Sequence, residues 1–134
     1  MPASFFDTNV LIYLALEDDA KADAAKRLVA GGGTISVQVL NEVANVARRK
    51  RQRSWMEVRD LLETLASLVR VEPLTIATHA IGLDVAERYK LAVYDAMIVA
   101  SALQSNCDTL WSEDMQDGLT IEQKLVIRNP FRAH

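Results

Sequence analysis

The chain has little of what several common function classes require. One cysteine, Cys107, among 134 residues excludes an internal disulfide and suits a reducing compartment. It has no histidine neighbour, so it reads as a buried structural thiol rather than a nucleophile. The only histidines, His79 and His134, fit no metal-ligand spacing and read as surface or packing residues. Five Gly and three Pro leave little room for linkers or low-complexity tracts. Basic residues do not dominate: 15 Lys and Arg face 18 Asp and Glu, a net charge of −3. That argues against a protein that coats nucleic acid by charge alone, and leaves room for an enzyme that meets phosphates through bound cations. No apolar run approaches the ~20 residues of a membrane span, and no basic-then-apolar signal pattern opens the chain. These absences lead us to expect one domain over residues 1–134, cytoplasmic, with no membrane partner.

What is present is a regular alternation. Half the residues are hydrophobic and a quarter charged, as in ordinary globular domains. Ser4-Phe5-Phe6 reads as a buried strand, followed by the polar turn Asp7-Thr8-Asn9 and a helix start at Val10. Ala20 to Ala30 reads as helix, stopped by Gly31-Gly32-Gly33. Thr34 to Val37 is a second strand. Helical spacing then runs from Gln38 to Arg53, with Val39, Val43, Val46 and Ala47 as an apolar stripe. Ser54 and Glu57 form a capping box for the next helix, whose inner face is Leu61, Leu62, Leu65 and Leu68. Val69 to Val71, Thr109 to Trp111 and Leu125 to Ile127 complete about five strands. Thr75 or Thr78 caps a helix to about Tyr89, and Ala96 to Leu103 is a helix apolar almost all round. This order predicts an α/β fold with a central, mainly parallel sheet covered by helices on both faces.

Four acids fall at informative places. In open parallel sheets, ligands bind beyond the carboxyl ends of the strands. Asp7 follows the first strand, Asp114 follows the fourth, and Asp95 opens the buried helix that leads to it. Glu42 lies beside the inward stripe of its helix, where a carboxylate is costly unless paired or metal-bound. Each acid also has a plainer role: Asp7 and Asp95 as helix caps, Glu42 at the edge of its stripe, Asp114 and Asp117 as turn residues before Gly118. Taken together, four converging carboxylates repel one another unless protonated or metal-bound. Mg²⁺ or Mn²⁺ prefers such oxygen ligands and supports in-line phosphoryl displacement.

Four segments then resemble a known family. Phe5-Phe6-Asp7-Thr8-Asn9-Val10-Leu11-Ile12-Tyr13, Gln38-Val39-Leu40-Asn41-Glu42, Tyr94-Asp95-Ala96-Met97-Ile98-Val99-Ala100-Ser101-Ala102 and Trp111-Ser112-Glu113-Asp114-Met115-Gln116-Asp117-Gly118 are similar, in this order, to the motifs of PIN-domain ribonucleases, in particular VapC-type toxins. The closing Asn129-Pro130-Phe131 also fits. The resemblance implies a three-layer α/β/α fold. It implies Mg²⁺- or Mn²⁺-dependent hydrolysis of RNA, often transfer or ribosomal RNA, at Asp7, Glu42, Asp95 and Asp114. Asp117 is an additional candidate ligand, and Thr8, Asn9 and Ser112 are candidates to hold the acids, bound water or substrate. A homodimer and a cognate antitoxin, inserting a helical segment near the site, are implied as well.

Arg48-Arg49-Lys50-Arg51-Gln52-Arg53 is the one basic run of an acidic chain. It reads equally as a solvated helix end and as a phosphate-contacting patch, with Arg48 and Arg49 the substrate-binding candidates. Lys21, Lys26 and Arg27 read as an exposed helix face. Trp55 and Trp111 read as packing residues; Tyr94, beside Asp95, is the best aromatic candidate for substrate, with packing still favoured. Leu11, Leu14 and Leu28 read as core, and any left uncovered would suit an antitoxin or second copy. Two rivals are weighed. A phosphatase using the first aspartate would want an acid where Asn9 stands, and leaves Glu42 unexplained. A catalytically inactive protein- or RNA-binding module would not need all four acids.

Overall fold

The computed structural model describes residues 3–132; His134 lies outside them. The chain runs β1 (Ser4–Phe6), α1 (Thr8–Leu16), α2 (Ala20–Ala30), β2 (Thr34–Ser36), α3 (Val37–Arg49), α4 (Trp55–Leu68), β3 (Arg70–Glu72), α5 (Ile76–Tyr89), α6 (Val93–Gln104), β4 (Thr109–Trp111), β5 (Thr120–Ile121) and β6 (Leu125–Arg128). The sheet order is β3-β2-β1-β4-β6-β5. All pairings are parallel except β5 with β6.

Successive crossovers from β1 to β2 to β3 move one way, and that from β3 to β4 returns past β1. Right-handed crossovers therefore put α1 to α4 on one face and α5 with α6 on the other, as the helix–helix contacts bear out. The order reverses between β1 and β4, so the carboxyl ends of these two strands are where the crevice of a topological switch point is expected.

The core is continuous through the sheet. Phe5, Phe6, Ile35, Leu110 and Ile127 are fully buried, and α6 contributes Ala96, Ile98, Val99 and Ala102. Cys107 is buried beside them, and burial raises its thiol pKa, which suits an inert role. Leu16, Ala47 and Val58 form a small separate cluster where the ends of α1 and α3 meet the start of α4.

The structure departs from the sequence reading at several places. The sheet has six strands, not about five. The extra strand, β5, turns into β6 through Glu122 and Gln123, both at positive φ (52° and 58°), closed by the Lys124 amide donating to the Ile121 carbonyl at 3.0 Å. Such a turn ordinarily carries Asn or Gly, so Glu-Gln gives no signal. The helix expected to reach Arg53 stops at Arg49, because Gln52 takes positive φ and Arg53 N–H bonds back to the Ala47 carbonyl. Leu68, expected on an inner face, is 52% exposed. Asp95 does not cap its helix: the N-cap is Ala92 and Asp95 lies within the first turn of α6. Ser54 and Glu57 do form the capping box, and Thr75 with Thr78 forms another.

Candidate active site

Each of the four acids reaches the crevice from a different element. Asp7 ends β1 and caps α1, its Oδ1 accepting the Thr8 amide at 2.7 Å. It is almost wholly buried, so the cap and the crevice share one carboxylate. Ser112, at the end of β4 and fully buried, donates from Oγ to Asp7 Oδ2 at 2.7 Å. The same Ser112 oxygen accepts the amides of Asp114 and Met115, each at 3.2 Å, which shapes the loop that presents Asp114. Asn9 Nδ2 donates to Asp114 Oδ2 at 3.1 Å and to Asp7 Oδ2 at 3.4 Å, while its Oδ1 accepts the Glu113 amide. Asn9 thus bridges the two strand-end acids.

Glu42 is half-buried on α3. Thr8 Oγ1 donates to its Oε1 at 3.1 Å and Gln38 Nε2 to its Oε2 at 2.9 Å. Gln38 belongs to the second motif but was given no role from sequence. Its position four residues before Glu42 on one helix is the signal that identifies it. Asp95, also half-buried, makes no hydrogen bond or ion pair among the described residues.

The electrostatics show that these groups share one region. Burial pushes the Asp7 carboxyl from 3.8 up to about 6, against the Ser112 and Thr8 hydrogen bonds, and the charges of Asp95 and Glu42 add to the rise. Burial raises Asp95 as well, with Glu42 and Asp114 adding to it. No basic side chain offsets either shift.

Among the described residues, no three acids, histidines or cysteines close into a ready-made cation cage. The donor set nonetheless fits a hard cation. It is all oxygen, its negative charge is uncompensated, and Asp95 is held by nothing else. Mg²⁺ keeps several waters and takes only one or two carboxylates directly, so spread carboxylates and a hydrated ion are compatible.

The other candidates separate. Asp117 accepts the Asn129 amide at 2.9 Å and faces Arg132 at 4.0 Å, which ties it to the C-terminal segment. Arg48 donates to the Arg53 carbonyl at 2.8 Å. Arg49 is exposed. Lys21 is not a simple exposed-face residue: it pairs with Glu113 and sits 4.9 Å over the Tyr13 ring. Tyr13 in turn donates to Glu113 at 2.7 Å and packs edge-on against Phe131. This brace beside the crevice holds the loop after β4 through residues about a hundred positions apart, which no local sequence pattern reveals. Trp55 and Tyr94, expected to pack, are 57% and 69% exposed. Trp111 is half-buried and donates to Ser4 at 3.1 Å.

Ser112→Ala tests the scaffold apart from the acids. It removes one donor to Asp7 and the acceptor for two amides, so stability should fall by about 1–3 kcal/mol, read by urea denaturation at pH 7. A loss below about 0.5 kcal/mol would mean that water replaces the hydroxyl.

A family model described as the PIN domain matches residues 4–116. No curated protein sequence gives a match. Solved structures that share the fold include a toxin–antitoxin complex from Klebsiella pneumoniae, at 22% identity and TM-score 0.73, covering 98% of this chain and 100% of that one. VapC20 of Mycobacterium tuberculosis, described as a sarcin–ricin loop cleaving toxin, matches at 22% identity and TM-score 0.68, covering 84% and 92%. VapBC2 of Rickettsia felis, bound to promoter DNA, matches at 16% identity and TM-score 0.69, covering 95% and 98%. With that match over most of its length, and with the acids at the carboxyl edge of a parallel sheet, the chain belongs to the PIN-domain family.

Proposed function

We propose that the protein is a divalent-metal-dependent endoribonuclease, acting in the cytoplasm as the toxin of a toxin–antitoxin pair. The observation that carries this reading is the convergence of Asp7, Glu42, Asp95 and Asp114 from four separate segments, with raised proton affinity at Asp7 and Asp95 that no basic side chain offsets. A binding module has no use for that uncompensated charge.

Asp7, Asp95, Asp114 and Glu42 would hold Mg²⁺ or Mn²⁺, which supplies charge neutralisation, an activated water and stabilisation of the phosphate oxygens. The chain's own contribution is orientation. Ser112 and the Thr8 amide fix Asp7, Thr8 and Gln38 fix Glu42, and Asn9 ties Asp114 to Asp7. One of the acids takes the proton of the attacking water, and Asp114, exposed at the mouth, lies where substrate enters. Attack in line on the phosphate leaves a 3′-hydroxyl and a 5′-phosphate. Ligation and gel mobility of the products test this; a 2′,3′-cyclic phosphate would contradict it.

An antitoxin partner is supported by the toxin–antitoxin complexes among the structural neighbours. A cavity of about 330 Å³ lined by Leu14, Val29 and the exposed Leu68 offers apolar surface for a helical segment. A homodimer is supported by a second apolar region on α5 and α6, where Ile76 is 85% exposed beside a groove lined by Leu74, Val93 and Tyr94. Transfer or ribosomal RNA is the substrate class this reading favours.

A further inference from the structure

Away from the acids, the turn joining α3 to α4 carries an exposed tryptophan within the chain's one basic run. Trp55 opens α4 and is 57% exposed; Met56 beside it is 73% exposed. The Arg48 guanidinium lies 4.3 Å from the centre of the Trp55 ring. A buried Trp would be ordinary packing; one left this open, with a guanidinium on its ring, is a surface to which a base can stack.

The cations around it divide in two. Arg51 pairs with Glu17 and also donates to the Leu16 carbonyl, and Arg53 pairs with Glu57. These two hold the turn to α1 and α4. Arg48, Arg49 and Lys50 have no carboxylate partner among the described residues, and Arg49 and Lys50 are exposed. Arg48 closes the turn through the Arg53 carbonyl; Arg49 and Lys50 are charge left facing solvent in an acidic chain.

The position relates to the acid crevice. Gln38, Glu42, Asn45 and Arg49 recur at helical spacing along one face of α3. Asn45 and Arg49 are both exposed. Seven residues separate Glu42 from Arg49, about 10 Å along the axis at ~1.5 Å per residue, or about three steps of a stacked strand at ~3.4 Å each. Arg49, where α3 gives way to the turn, therefore lies within a few nucleotides of Glu42.

We infer that the α3–α4 turn is an RNA-docking site, in which Trp55 stacks one unpaired base and Arg49 and Lys50 contact the phosphates flanking it, a few nucleotides from the scissile bond. The inference rests on the ribonuclease reading, and its failure is separable from that of the reading. The full-length Asp95→Asn chain, which should bind without cutting, is titrated with a labelled mixed-sequence single-stranded RNA at several salt concentrations, by fluorescence anisotropy. Trp55→Ala should weaken binding about tenfold, the order of one base–aromatic stack. Arg49→Glu with Lys50→Glu should weaken it further and make the salt dependence shallower by about 0.7 for each phosphate no longer neutralised. Lys124→Glu, an exposed charge change on the β5–β6 turn, should behave as the parent. RNA should also quench the fluorescence of Trp55 in a Trp111→Phe background, which guards against a misfolded Trp55→Ala. If the turn variants match Lys124→Glu and quenching is absent, the inference is overturned, even where the wild type cuts RNA. Loss of partner-protein binding with RNA affinity intact would overturn it equally. Failure of the wild type to cut any RNA counts against the ribonuclease reading instead.

Discussion

Asp95→Asn should leave the protein folded and lower RNA cleavage at least 100-fold. The variant is informative because of what Asp95 does not do. It makes no hydrogen bond or ion pair among the described residues and caps nothing, so an isosteric amide leaves the fold's own interactions in place. It does remove one of the mutually repelling charges near Glu42 and Asp114. Stability without added metal should therefore be unchanged or slightly higher, while the capacity to hold a cation falls. Losing one ligand of such a set exceeds the roughly 10–100-fold effects of disturbing groups behind the ligands. Urea denaturation and single-turnover cleavage rates, measured on one preparation, check both halves. Equal loss of stability and activity would assign Asp95 a structural role.

The second expected result is an inverted pH dependence in the absence of divalent cations. Burial lifts the Asp7 pKa from 3.8 to about 6, so the folded state binds this proton more tightly than the unfolded chain does. Stability from this group is fullest below about pH 4 and is lost as pH rises through 6. The difference amounts to about 3 kcal/mol when complete. Asp95 shifts in the same direction. Glu57, whose proton affinity is lowered by its cap bonds from Ser54, acts oppositely, but only below its ordinary range near pH 4.5. In EDTA, stability should thus fall from pH 5 to pH 8. Saturating Mg²⁺ should flatten the slope, because a cation favours the ionised carboxylates and stabilises by mass action, about 2.7 kcal/mol at a hundredfold excess over Kd. Asp7→Asn should lose most of the slope. Urea midpoints at pH 5, 6, 7 and 8 with and without metal check this; stability that does not fall with pH in EDTA would show that Asp7 titrates normally.

Both results depend on features that the sequence displays unevenly. The parallel sheet and its helices are legible because buried strands and amphipathic helices leave different periodicities, and because caps such as Ser54–Glu57 are local chemistry. The acids are legible for a related reason: Asp7 and Asp114 stand directly after apolar strands, where a parallel sheet exposes its carboxyl ends. Partners brought together by the fold are not legible. Nothing local links Tyr13 and Lys21 to Glu113, or Asn9 to Asp114. Turns that place ordinary residues at positive φ are silent as well, which hides β5 behind Glu122-Gln123 and shortens α3 at Gln52. Exposure of single aromatics is equally hidden, since Trp55 and Tyr94 follow patterns that core residues share.

The central claim is that four carboxylates form a cation-dependent RNA-cleaving centre. Its most direct test is cleavage of RNA by the full chain, purified free of any partner protein, in EDTA and then after addition of Mg²⁺ or Mn²⁺, with Asp95→Asn alongside. The account predicts no cleavage in EDTA, recovery on adding metal, and no recovery for the folded variant. Cleavage that persists in EDTA, or that the variant matches, would contradict it.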